Sequence, residues 1–204
     1  MVKQKIILAT TSPRRHGLAQ TMGLDFDIMP SNYEEDMNSN KKLSPKEMVK
    51  LFSYGKANEV AKKFKEGIVI GVDTIVVFKG KKLGKPKSDE DAFKMLKSFS
   101  GKEQEVISGV CLIDCKTKKV IKDCEITKVY FKKMNDGEIK SYLKTGEHKD
   151  KSGGYGIQDL SSIFIKKING CYFNVMGFPI YNIYKNLTKL GVNIFEYERW
   201  LGKN

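Results

Sequence analysis

A carboxylate inside the apolar run IVIGVDTIVVF, residues 68–78, is the first residue type out of place in this chain. Burying a lone charge in a strand is costly unless it meets a metal ion or moves a proton, so Asp73 is a candidate for either chemistry. The competing reading is an aspartate in a turn that bonds its own backbone, which the neighbouring Gly71 would allow. Upstream, Glu34, Glu35 and Asp36 offer hard oxygens that would help Asp73 hold Mg²⁺. An acidic surface turn is the alternative there, and on composition it is the better one. Lys56 lies in the middle of a stripe of Val49, Phe52, Val60 and Phe64 at helical spacing. Buried, it needs an anion; at the edge of the stripe it would snorkel to water. Its central position favours burial.

Positive charge is also placed unevenly. Only three of the 37 Lys+Arg residues are arginine, and two of them, Arg14 and Arg15, follow Ser12-Pro13 in LATTSPRRHGLAQTMGL. A helix start presents unpaired N–H groups and the positive end of the dipole, and arginine adds a rigid fork of donors that matches phosphate oxygens. Arg15 shares a helix face with Leu18, Ala19 and Met22, which turns it inward. A surface helix with two ordinary salt bridges is the plainer account. Further along, Lys85 stands in the Gly-Lys-Pro turn of LGKPKSDEDA, and Gln158 follows three glycines in SGGYGIQ. Such turns admit close approach of backbone to a ligand, and Gln158 has the two-sided amide that base-edge recognition uses. Either turn would equally serve as a plain connection.

The elements that must position these residues can be read from local patterns. Lys5–Ala9 reads as a short buried strand, Ser12-Pro13 as the start of a helix that Gly23 stops, and Phe26–Pro30 as a second strand. An acidic turn follows at Tyr33–Asp36. Ser44-Pro45-Lys46-Glu47 has capping-box spacing and opens a long helix to about Lys65. Ile68–Phe78 is a central strand, Gly80 a turn, and Ser88–Phe99 a helix capped by Ser88. Glu103–Asp114 and Val120–Lys132 read as an antiparallel pair, followed by a helix near Asp136–Lys144. Ser162–Ile168 reads as a strand and Pro179–Leu190 as the last helix. Strands and helices mix without strict alternation, so an α/β fold with a mixed sheet is expected, as one chain-long domain over 1–204.

The totals narrow the function classes. The 204 residues, 40% hydrophobic and 30% charged, suit a globular protein with one sizeable core or two small lobes sharing a cleft. The net charge of +13 invites a nucleic-acid reading, but the lysines are scattered and form no long basic block. A solvated, lysine-biased surface is the simpler account, and its excess charge would still help attract a polyanion such as a nucleotide triphosphate. Four cysteines without a CxxC pair and two histidines argue against zinc, and for reduced thiols in a cytosolic protein. No apolar stretch has transmembrane length and Met1–Ala9 is short for a signal peptide, so a cytoplasmic location is expected.

Five stretches in order, LATTSPRR, NYEED, the segment from GVDTIVVFKGKKLGKPKSDEDA to VISGV, DKSGGYGIQ and INGCYFNVMGFP, resemble the Maf family of nucleoside triphosphate pyrophosphatases. The resemblance runs from residue 8 to about 180. It implies an elongated α/β fold of Maf/inosine-triphosphatase type, with flanking helices and two lobes around a central cleft, often as a homodimer without membrane or nucleic-acid partners. It implies hydrolysis of the α–β phosphoanhydride of a nucleoside triphosphate with a divalent ion, Mg²⁺ or alternatively Mn²⁺ or Co²⁺. Asp73 matches the family's proton acceptor. Ser12, Arg15, Lys56 and Lys85 match phosphate-pocket positions, and Glu35 matches an acidic position tied to metal or water. Arg14, Thr74 and Gln158 match specificity positions of the branch acting on dTTP and UTP. The branch acting on methylated GTP departs from this set and is the runner-up. A basic nucleic-acid-binding or regulatory protein without turnover is the rival of another class. Val72 stands where alanine is usual, Gln104 where histidine is common and Phe178 where leucine precedes Pro179. None of these removes a group proposed for the chemistry.

Overall fold

The computed structural model describes residues 4–36 and 39–197; Arg199 lies outside them. Seven strands share one sheet in the order β2-β1-β3-β5-β6-β7, with β4 (Lys81–Leu83) paired to β3 off this path. The strands are β1 (Ile6–Ala9), β2 (Phe26–Ile28), β3 (Ile68–Phe78), β5 (Glu103–Asp114), β6 (Val120–Phe131) and β7 (Ile165–Asn169). The sheet is mixed: β1 runs parallel to β2 and β3, whereas β4 and β7 are antiparallel to their neighbours. Helices flank it.

The described residues fall into two compact units, one drawn from 1–74, 108–125 and 177–204 and the other from 75–107 and 126–176. In the first unit β1 is buried at all four positions, as a strand covered on both faces requires. Its register against β3 aligns Ile6 with Ile68 and Ala9 with Gly71. Helix α1 (Pro13–Gln20) starts with proline at its first position behind Ser12, and Gly23, at φ 67°, closes the turn that follows it. Helix α2 (Pro45–Ala61) carries the expected capping box: Ser44 Oγ accepts from the Glu47 amide, and Glu47 Oε2 accepts from the Ser44 amide at 2.8 Å. It ends at Ala61, short of Lys65, because the chain must tighten into Gly67, at φ 97°, to enter β3. Phe64 therefore packs against the core from the turn and not from the helix.

Gly71 does not make a turn. It lies inside unbroken β3, where an added Cβ would stand 2.2 Å from the Ser53 carbonyl oxygen and 2.8 Å from the Ala57 amide. Gly109 in β5 plays the same part, its Cβ position falling 2.1 Å from the Val49 carbonyl oxygen. Two glycines thus let α2 lie close on the sheet, with Ala57, Val60 and Ala61 packed against Ile7, Val69 and Cys111. Helix α6 (Ile180–Lys189) completes this unit and buries Asn182, Ile183, Asn186 and Leu187.

The second unit has an aromatic core. Phe131 meets Phe99 and Tyr155 at centroid distances of 5.4 and 4.9 Å, and Tyr142 meets Phe164 edge-on at 5.6 Å. Strand β4, which local pattern left inside a turn, forms a hairpin with the end of β3 through Lys79 and Gly80, both at positive φ. Helix α3 (Asp89–Phe99) is capped by Ser88, and α4 (Asp136–Leu143) by a reciprocal Asn135–Glu138 box. The strand expected at Ser162–Ile168 begins later. Residues Leu160–Phe164 form a 3₁₀ turn that drops Phe164 into the core, and only Ile165–Asn169 extend along β6. The short helix α5 (Tyr172–Val175) has no clear periodic signal.

Candidate active site

The close seating of α2 on β3 brings Lys56 onto Asp73. Asp73 is 4% exposed, and Lys56 Nζ donates to its Oδ1 at 2.8 Å and to the Val72 carbonyl at 3.4 Å. The same ammonium pairs with Glu35 from the acidic turn. Lys56, its side chain 13% exposed, is thus turned in against carboxylates and does not snorkel, and Asp73 is a strand residue and not a turn residue. The second carboxylate oxygen, Asp73 Oδ2, is buried and has no hydrogen-bond partner. A bare buried acceptor is expensive, so its presence asks for a donor or a cation at that atom.

Arg15 comes to the same strand from α1. Its Nε donates to the Gly177 carbonyl at 3.0 Å and its Nη2 to Thr74 Oγ1 at 3.3 Å. Burial lowers the affinity of the guanidinium for its proton, and the negative charges of Asp73 and Glu35 partly restore it. An arginine stays charged through such a shift. Thr74 Oγ1 also shares a hydrogen bond of 2.8 Å with Ser108 Oγ. Ser108, fully buried in β5, and the Gly177 carbonyl were not singled out from sequence. The lone serine in the apolar run VISGVCLID was a usable signal for the first; no side-chain signal exists for a carbonyl.

Tyr33 supports the acidic turn. Its ring fills the space over Gly55, where an added Cβ would stand 2.3 Å from ring carbons, and it meets Phe52 at 6.3 Å. Burial first, then the charges of Glu35 and Asp73, push the Tyr33 phenol up. Lys56 is thus flanked by a glycine that receives the residue two positions before Glu35.

The remaining sequence candidates lie apart in the chain. Ser12 caps α1 without a side-chain bond to it, and its amide donates to Thr10 Oγ1 at 3.2 Å. Arg14 is exposed on the first turn of α1. Lys85 and Gln158 belong to the second unit, both exposed, on loops joined by the Gly153 amide donating to the Gly84 carbonyl at 2.9 Å. Among the described residues no group of three or more His, Cys, Asp or Glu side chains is placed to hold a metal ion. What the site does offer is the bare Oδ2 of Asp73 and the partly exposed carboxylate of Glu35. Two hard oxygens suit Mg²⁺, which commonly takes one or two carboxylates and completes its shell with water and substrate phosphate.

Two carboxylates, a lysine and an arginine are thus gathered around one strand of a mixed-sheet α/β protein. Residues 5–190 match the family model described as Maf-like protein. The chain is 44% identical over 187 residues to a dTTP/UTP pyrophosphatase of Carboxydothermus hydrogenoformans, covering 92% of this chain and 99% of the relative. It is 48% identical over 181 residues to a protein of the same name from Alkaliphilus oremlandii, covering 88% and 93%. A third, from Clostridium tetani, is 46% identical over 191 residues, covering 92% and 98%. The chain belongs to the Maf-like family.

Proposed function

We propose that this chain is a nucleoside triphosphate pyrophosphatase that hydrolyses dTTP and UTP to the monophosphate and pyrophosphate. The observation that carries the reading is Asp73 Oδ2, a buried carboxylate oxygen without a partner, beside a lysine and an arginine. Relatives that align over nearly their whole length bear the name dTTP/UTP pyrophosphatase, which supports the substrate class.

The chemistry follows from charge. A triphosphate carries about four negative charges, which must be offset before water can reach the α-phosphorus. Arg15 and Lys56 supply fixed positive charge in the first unit, and Ser12, Arg14 and Lys85 are assigned to the phosphates with them. Asp73 Oδ2 accepts the proton of the attacking water as the new P–O bond forms and the bond to the pyrophosphate oxygen breaks. The Lys56 ammonium, donating to Oδ1, orients the carboxylate for that transfer. Thr74 and Gln158 are assigned to selection of the pyrimidine nucleotide. Glu35, together with Asp73 in its alternative role of ligand in place of base, would hold a divalent ion, Mg²⁺ first and Mn²⁺ or Co²⁺ as alternatives, which when bound would neutralise phosphate charge and stabilise the leaving pyrophosphate.

Among the described residues no helix is long and apolar enough to cross a membrane. A cytoplasmic homodimer is proposed on the family resemblance alone. The deciding experiment is a panel of dTTP, UTP, CTP, ATP, GTP and methylated GTP with Mg²⁺, measuring pyrophosphate and phosphate release separately. Preferred release of pyrophosphate from dTTP and UTP is expected. Equal turnover of GTP and dTTP overturns the substrate assignment, and DNA or RNA binding without turnover overturns the enzyme reading.

A further inference from the structure

The loop that carries Gln158 is built around a second buried lysine, which the reaction as described leaves unused. Lys151 is 8% exposed, yet its Nζ donates to the Glu147 carbonyl at 2.7 Å and to Asp150 Oδ1 at 3.0 Å, and it stands 3.2 Å from Asp159 Oδ2. Its methylenes cross Gly156, where an added Cβ would lie 2.9 Å from Lys151 Cε and 2.8 Å from Asp159 Oδ2. A side chain at 156 would displace the ends of both Lys151 and Asp159. On the other side, Ser161 Oγ accepts from the Gly156 amide at 2.8 Å and donates to the Gly156 carbonyl at 2.9 Å. The Leu160 amide donates to Glu147 Oε2 at 3.1 Å.

Residue 156 and residues 159–161 are therefore pinned, and Gln158 stands exposed between them. A plain surface loop would satisfy its polar groups with water and would not sink an ammonium among its own carbonyls and carboxylates. An amide that reads a base edge discriminates only if its supporting residues hold it within a fraction of an ångström. We propose that Lys151 is a positioning residue for base selection: by holding Asp159 and passing under Gly156 it fixes the Gln158 amide that faces the base. This rests on the reading of Gln158 as the base-contacting residue. Lys151 touches neither substrate nor the reacting atoms in this scheme, so it governs which nucleotide is chosen and not how fast the bound one reacts.

The test is Lys151→Met, which keeps the stem over Gly156 and removes the ammonium. With kcat/KM measured for dTTP, UTP, CTP and GTP, the dTTP-to-GTP ratio should fall about tenfold, mostly through a raised KM for dTTP. The kcat at saturating dTTP should stay within about threefold. Adding Gln158→Ala should relax the ratio no further than Gln158→Ala does alone, because both changes remove one function. A ratio relaxed by Gln158→Ala but untouched by Lys151→Met overturns the proposal and leaves Gln158 in its role. A ratio untouched by Gln158→Ala overturns the reading of Gln158, and the proposal with it. If a thermal melt shows that Lys151→Met does not fold, Asp159→Asn carries the same comparison, since that half-exposed side chain is the ionic anchor next to Gln158. An unchanged ratio there overturns the proposal equally.

Discussion

At the scale of single residues, the geometry changes what two substitutions should do. Asp73→Asn keeps shape and removes the basic oxygen, so pyrophosphate release should fall by about 10²–10⁴-fold. Nucleotide should still bind, because Arg14, Arg15, Lys56 and Lys85 remain; calorimetry beside the release assay separates the two effects. Near-normal turnover would remove Asp73 from the mechanism. Lys56→Met is a different matter. Read from sequence, it deletes a costly buried charge and should leave stability unharmed. In the structure the same change strands Asp73, whose carboxylate is 6% exposed and loses its one cationic hydrogen-bond partner. Breaking one side of a buried pair costs about 3–5 kcal/mol, so urea denaturation should show a clear loss. Lys56→Met with Asp73→Asn should recover much of that stability with no recovery of activity. Equal stability of Lys56→Met and the unaltered protein would mean that the pair is not formed in solution.

Among the elements, α2 and β3 decide the site, and the contact between them needs Gly71. Gly71→Ala pushes a methyl into the Ser53 carbonyl and the Ala57 amide, both backbone atoms that cannot rotate away. Overpacking of this kind costs about 1–3 kcal/mol or more, and here it also lifts Lys56 off Asp73. Stability and turnover should fall together, as chemical denaturation and the release assay would show. The partner element, α6, makes its own contribution. Burial pushes the Asp123 carboxyl up, but bonds from Asn186, Lys185 and the Cys124 amide outweigh it and hold it at about 2. The group is therefore stabilising above its usual range near 4, and that contribution is lost as pH falls through about 2. Asp123→Asn should flatten that part of the stability profile; a parallel acid limb in both proteins would discount the pair. Much of this level was legible beforehand. Asp73 and Lys56 were visible because a charge interrupts an apolar period, and the capping boxes at Ser44 and the cap at Ser88 are local. Gly71 falls in the strand read at Ile68–Phe78, but its close approach to α2 was not legible, because permissive backbone and absent side chain look alike in a sequence. The strand read at Ser162–Ile168 starts three residues late, because residues 162–164 belong to a 3₁₀ turn fixed by Ser161 and by the seat of Phe164 in the core.

For the molecule as a whole, the +13 charge is spread over a lysine surface rather than focused in one block. It should act on encounter with the triphosphate, so KM for dTTP should rise with ionic strength while kcat changes little. A salt-independent KM would leave the surface charge to solubility alone. The division of the chain has a consequence in time. The second unit is contained in residues 75–176, whereas the first also needs the segment from residue 177 onward. Arg15 takes as acceptor the carbonyl of Gly177, made 162 positions later. At translation rates of about 5–20 residues per second, the amino-terminal strands wait many seconds for α6 and for that carbonyl. During this interval the nascent chain holds Asp73 and Lys56 without the acceptor that anchors Arg15. A ribosome paused before residue 177 would thus have made every residue of the second unit while the first still lacks α6 and the acceptor of Arg15, and it is this first unit that a chaperone would have to shelter.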